Sequence, residues 1–280
     1  MITERRLALH EHRTASTSSL LFTSAAFCLV WCSCDNPGQG RDDAGPSTPC
    51  KSNTSPGGDS GVPVDASERP STCAPAVNGE LLDITGTPAG PYLIHHPRTA
   101  SPGTRTIVFL PGGSGSLNSA RRAWERFLSG DPRVEDLRVV IPYSATDEFI
   151  DEARRTFVIL DEVLACYGGD PAKVHLAGYS NGGMAAYALM LAKPERFATL
   201  LGTPGLFPRR DPRAWAKALG CRPVFNGVGE LDDWKPDVRA THEALEKAGA
   251  VSIYVEYPGE GHRISDAFDE SILFDFWFRY

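Results

Sequence analysis

Residues 174–183 read Val-His-Leu-Ala-Gly-Tyr-Ser-Asn-Gly-Gly, and they lead straight into the helical pattern of residues 184–193, MAAYALMLAK. Strand formers therefore give way to a helix across a turn centred on Ser180. Such a turn leaves no room for side chains on its inner side, so glycines two residues before and two after the central position, Gly178 and Gly182, are a steric requirement. The same geometry pushes the Ser180 hydroxyl out of the backbone envelope, at the N-terminus of the following helix. A glycine-rich turn carrying a solvent-facing serine is the plainer alternative. The strand before and the helix after favour a presented nucleophile.

Working outward, composition narrows the classes. The chain has 280 residues, 41% of them hydrophobic, enough for one large domain with a buried core. A net charge of −7, without a basic cluster interleaved with aromatics, argues against nucleic acid as a partner. Zinc-type cysteine spacing is missing, and neither a metal nor a cofactor is expected. No internal repeat is visible. Oligomeric state is not legible.

The first 34 residues read differently. Arg5, Arg6 and Arg13 precede an apolar stretch from Leu20 to Trp31 that is too short to span a bilayer comfortably, the layout of a secretory signal. It ends at Cys32-Ser33-Cys34, which resembles a bacterial lipoprotein signal, with Cys34 the preferred lipidation site and an ordinary cleaved signal the alternative. Residues 35–72 are rich in Gly, Pro, Ser and Asp and poor in large apolar residues, so they are expected to form a disordered tether. A folded domain over residues 73–280 follows. The expected location is therefore outside the cytoplasm, anchored to a membrane or secreted. Cysteine usage fits export: Cys50, Cys73, Cys166 and Cys221 form an even set, for which pairing Cys50 with Cys73 and Cys166 with Cys221 is one possibility, and buried thiols at the last two the other.

Within the domain, strand and helix patterns alternate. Strands are expected near Leu81–Ile84 and from Pro91, then at Thr104–Leu110, Leu137–Ile141, Val174–Gly178, Ala198–Gly202, Arg222–Val228 and Val251–Tyr257. Helices are expected around Ser119–Leu128, from about Asp147 to Cys166, after Ser180, around Pro236–Ala248 and at the C-terminus. Alternation with helices this long implies a mostly parallel sheet covered on both faces, a three-layer α/β/α sandwich. The segment between Thr203 and Gly220 has room for a small cap at most, so no large cap domain is expected. In such sheets the reactive groups gather beyond the carboxyl ends of the strands. There the sequence carries Pro111-Gly112-Gly113-Ser114-Gly115, then Ser180, then Gly229-Glu230-Leu231-Asp232-Asp233, then Pro258-Gly259-Glu260-Gly261-His262.

The order Ser, Asp, His at successive strand exits, with Gly178-x-Ser180-x-Gly182, resembles the α/β-hydrolase superfamily, and residues 172–187 resemble its polyhydroxybutyrate depolymerase and feruloyl esterase-like branch. The likeness covers roughly Pro91 to Tyr280. Asp232-Asp233-Trp234 is also similar to dienelactone hydrolases, but those use a cysteine where this chain has Ser180. Pro111 departs from relatives that carry a histidine before the glycines. The resemblance implies an exported serine hydrolase cleaving small or polymeric carboxylic esters. A serine peptidase of the same fold and a catalytically silent surface module are the alternatives.

The chemistry assigns four roles. Ser180 needs a base, and His262, at the exit of the last strand, is placed to take its proton and return it to the leaving alcohol. A carboxylate must hold the imidazole in one tautomer; the family spacing, three residues after Gly229 and four before Pro236, picks Asp232, with Asp233 as the alternative. Glu260 reads as a solvated loop charge. The oxyanion of the tetrahedral intermediate needs two N–H donors, expected from Asn181 at the helix start and from Gly113, with Ser114 next. A phosphate-cradling loop is disfavoured, because the P-loop lysine is missing. Trp215, Trp234, Phe207 and Tyr143 could either line a cleft or pack the core.

Overall fold

A computed structural model describes residues 73–144, 153–206 and 211–280. The expected signal (1–34), tether (35–72), Cys34 and Phe207 lie outside the described residues, as does the first part of the helix expected from Asp147. Strands β1 (Leu81–Ile84) and β2 (Tyr92–His95) form a hairpin, followed by β3 (Arg105–Leu110), α1 (Leu117–Phe127), β4 (Leu137–Pro142) and α2 (Arg155–Tyr167). Then come β5 (Val174–Gly178), α3 (Asn181–Ala192), β6 (Thr199–Gly202), α4 (Pro212–Leu219), β7 (Val224–Gly229), α5 (Lys235–Lys247), β8 (Ser252–Tyr257) and α6 (Ser271–Arg279).

All eight strands join one sheet, in the order β1-β2-β4-β3-β5-β6-β7-β8. The hairpin edge is antiparallel through the β2–β4 pair, and every pairing from β4 to β8 is parallel. Strand succession runs from β3 to β4 on one side and resumes at β5 on the other. The carboxyl ends of β3 and β5 therefore bound the crevice where the sheet changes direction, the position at which open α/β sheets bind ligands.

Burial on both faces explains the near-continuous apolar runs. Since side chains alternate along a strand, Ile107 and Phe109 join Leu201, Phe225, Phe127 and Trp277 on one face, while Val108 and Leu110 join Leu176, Leu200, Tyr187 and Leu245 on the other. Helix α3 is apolar on every side, with Ala185, Ala186, Tyr187, Ala188, Leu189 and Met190 buried, as a helix enclosed by its neighbours must be. Trp215 of α4 is buried against Tyr187 and belongs to this core, not to a cleft. Tyr143 is likewise packed, its hydroxyl donating to Asp83 at 2.6 Å. Local signals set the ends: Ser116 and Asp211 cap α1 and α4 by accepting from backbone N–H groups two or three residues on, and Arg138 of β4 donates to the last carbonyls of α2, at Tyr167 and Gly168.

Both expected cysteine pairs, Cys50 with Cys73 and Cys166 with Cys221, are corrected, as is the reading of Cys166 and Cys221 as buried thiols. Cys73 is bonded to Cys166, tying the start of the described chain to the C-terminal turn of α2, and Cys221 is also in a disulfide. Sequence spacing had no access to this, because α2 returns Cys166 to the hairpin edge, 93 residues after Cys73. Replacing both Cys73 and Cys166 by serine is expected to lower the unfolding free energy by about 2–5 kcal/mol in urea denaturation. Peptide mapping without reductant should recover the Cys73–Cys166 link, and a Cys50–Cys73 link in its place would contradict the fold.

Candidate active site

The turn after β5 is gripped by backbone hydrogen bonds on both sides. Tyr179 N–H donates to the Leu110 carbonyl (3.1 Å) and Ser180 N–H to the Pro204 carbonyl (2.8 Å), so the exits of β3 and β6 pin the turn from both sides. Ser180 has φ 56°, the one non-glycine residue with positive φ among the described residues. That is the strained elbow the sequence called for. A Cβ on Gly178 would lie 2.5 Å from the Gly182 carbonyl carbon, and one on Gly182 would lie 2.5 Å from the Pro111 oxygen, distances no real side chain tolerates.

The expected residues converge here. Ser180 Oγ lies 2.9 Å from His262 Nε2, and His262 Nδ1 lies 2.9 and 3.1 Å from the two oxygens of Asp232. With Nδ1–H donating to the carboxylate, Nε2 is left as an acceptor for the serine hydroxyl. The Asp232 side chain is fully buried and also accepts from Trp234 N–H at 2.8 Å, whereas Asp233 is exposed. The structure thus separates the two aspartates. Among the described residues the other histidines stay apart: burial holds His175 neutral, its pKa lowered to about 3, with Nδ1 against Thr199 on the neighbouring strand.

The two residues expected to donate to an oxyanion, Asn181 and Gly113, lie beside Ser180. Asn181 is the first residue of α3, so its N–H has no intrahelical acceptor. Its side chain donates to the Gly113 carbonyl at 3.0 Å, joining the loop after β3 to the elbow. Gly113 has φ 63°, and Gly112 packs so closely on Tyr179 that a Cβ there would meet the ring at 2.6 Å. Both glycines line one cleft with Ser180 and His262.

Three contributors escaped sequence reasoning. Glu260 is buried, correcting its reading as a solvated charge: its carboxylate accepts from Ser265 N–H (2.6 Å) and Ser265 Oγ–H (2.5 Å), closing the loop that carries His262. The Glu260 carbonyl accepts from Leu231 N–H at 2.8 Å, coupling that loop to the one bearing Asp232. Tyr179 donates its hydroxyl to the His262 carbonyl at 2.5 Å, and the Trp234 ring packs 4.7 Å from the imidazole. Position inside Gly-x-Ser-x-Gly marked Tyr179 without saying where its ring would go.

No protein-family model matches the chain. A crystal structure of a thermostable esterase superposes with a TM-score of 0.51 at 20% identity, covering 64% of this chain and 54% of its own. LAE6, an α/β-hydrolase enzyme from the metagenome of Lake Arreo, Spain, superposes at 0.50 with 17% identity over 74% of this chain and 81% of its own. This chain has the α/β-hydrolase fold. In sequence, it is 32% identical over 108 residues to NocK of Nocardia uniformis subsp. tsuyamanensis, a proposed esterase; the match covers 39% of this chain and 28% of that protein's length.

The elbow yields a stability contrast. Gly182→Ala should cost about 3 kcal/mol by forcing the β3 exit aside, while Gly261→Ala, whose Cβ would meet nothing within 4 Å, should shift the urea midpoint little. Equal effects of the two substitutions would contradict the close approach at the elbow.

Proposed function

We propose that the protein is a serine carboxylic-ester hydrolase acting through an acyl-enzyme on Ser180. The observation that carries this reading is the unbroken chain of contacts from Ser180 Oγ through the His262 ring to buried Asp232. As Oγ bonds to the ester carbonyl carbon, its proton passes to His262 Nε2, and the positive charge on the imidazolium is offset by Asp232. The carbonyl oxygen becomes an oxyanion, for which the N–H groups of Asn181 and Gly113 are the assigned donors, one such donor being worth about 3 kcal/mol. Collapse breaks the bond to the alcohol, which leaves with the proton from Nε2. Water, deprotonated by the same nitrogen, then releases the acid and restores Ser180.

Likeness to a thermostable esterase and to NocK supports an ester over an amide. A cleft of about 1030 Å³ beside Ser180 accommodates a large acyl or alcohol group, in keeping with polyhydroxyalkanoate or acylated and feruloylated polysaccharide as substrates. The Cys73–Cys166 disulfide supports an oxidising location, and with it export, to a membrane anchor at Cys34 or to the medium.

A fluorophosphonate probe should label Ser180, and Ser180→Ala should abolish both labelling and ester hydrolysis; labelling that survives would refute the assignment. Asp232→Asn should lower kcat by about 10⁴, and Asp233→Asn by tenfold or less. Equal losses would remove the distinction drawn from burial. Cleavage of peptides in preference to esters would favour the peptidase alternative.

A further inference from the structure

The cleft beside Ser180 has two walls, α1 and the segment following His262. Its apolar lining is Ala123, Phe127, Tyr179 and Ile264, and its rim is charged. Arg126 is already engaged across the cleft, donating to the Ser265 carbonyl and pairing with Asp266, so it joins the walls. Arg122 and Arg263, both exposed, have no carboxylate partner among the described residues. Arg122 donates to Ser119 Oγ at 3.3 Å, and that hydroxyl lies 3.7 Å from where a Cβ on Gly113 would sit. Its guanidinium is therefore one hydroxyl away from an assigned oxyanion donor. Arg263 follows His262 directly in the chain. Around Tyr179, burial and then the Asp232 carboxylate push the hydroxyl pKa up, and Arg263 and Arg126 oppose them, so positive charge reaches the cleft from both walls.

The carboxylates that line the cleft are Glu125 and Asp266, and Asp266 is matched by Arg126. Two uncommitted guanidiniums thus face one uncommitted carboxylate, in a chain whose net charge is −7. A rim of opposite sign to the rest of the molecule concentrates anions at the opening, and a guanidinium fork is suited to a carboxylate. We propose that this cleft selects esters that carry a carboxylate a few bonds from the scissile carbonyl, held between Arg122 and Arg263. The inference rests on the esterase reading of Ser180.

The carboxylate could belong to the acyl group or to the alcohol. Turnover by the full chain would be compared for 4-nitrophenyl hydrogen succinate against its methyl ester, and for 4-acetoxybenzoate against its methyl ester, at low ionic strength. In at least one pair kcat/KM for the anion should exceed that for the neutral ester by about tenfold, and the pair that does so identifies the side. The preference should shrink in high salt, fall to about unity in Arg122→Gln/Arg263→Gln, and be largely kept in Arg122→Lys/Arg263→Lys. Turnover of neutral esters without an anionic preference in either pair, or a preference that survives the double glutamine variant, would overturn the proposal. If no ester in either pair is hydrolysed, the esterase reading falls and takes this one with it.

Discussion

Beyond the carboxyl ends of β3, β5 and β6 three stretches of backbone meet where not one methyl group would fit. The β3 exit at Leu110 and Pro111, the turn at Gly178–Gly183 and the β6 exit at Pro204–Gly205 approach one another so closely that a Cβ on Gly182 or Gly183 would lie inside their backbone atoms. Positive φ at Ser180 is tolerated because these neighbours leave the turn no alternative, with the Leu110 carbonyl accepting from Tyr179 N–H and the Pro204 carbonyl from Ser180 N–H. The site's precision follows from this contact. Ser180 is fixed by main chain at a strand exit of the sheet.

Histidine placement depends on a second backbone approach. Gly229 ends β7 against the loop after β8, where a Cβ would lie 2.5 Å from the Gly261 oxygen, and Leu231 N–H bonds to the Glu260 carbonyl. The acid loop and the base loop are in this way a single packed unit. Glu260 closes it through Ser265, Tyr179 bonds the His262 carbonyl, and the Trp234 ring packs on the imidazole. A carboxylate that is itself buried and hydrogen-bonded, as Asp232 is, costs nothing further to orient when positive charge forms on the imidazole.

Much of this was legible because the exits of β3, β5, β7 and β8 are punctuated by glycines in sequence, and those at Gly178, Gly182, Gly183 and Gly229 stand where backbone meets backbone. Sheet class and the convergence of Ser180, Asp232 and His262 followed from that punctuation together with chain order. Choosing between Asp232 and Asp233 required burial, since a shift of one position in a loop exchanges a fully enclosed side chain for a solvated one. Glu260 was misread because its partner, Ser265, satisfies it across a turn with no periodic signal. The pairing of Cys73 with Cys166 depended on where α2 delivers its last turn, and Trp215 on α4 packing against Tyr187; both are tertiary outcomes that local pattern does not encode.

The central claim is that Ser180 carries the acyl group between the two halves of the reaction. The most direct measurement is acid-quenched mass spectrometry of the full chain during turnover of an aryl ester, with peptide mapping of the adduct. The account predicts an added acyl mass on the peptide containing Ser180, appearing before steady state and vanishing as substrate is exhausted. Turnover with no adduct at Ser180, or with the acyl group on another residue, would contradict it.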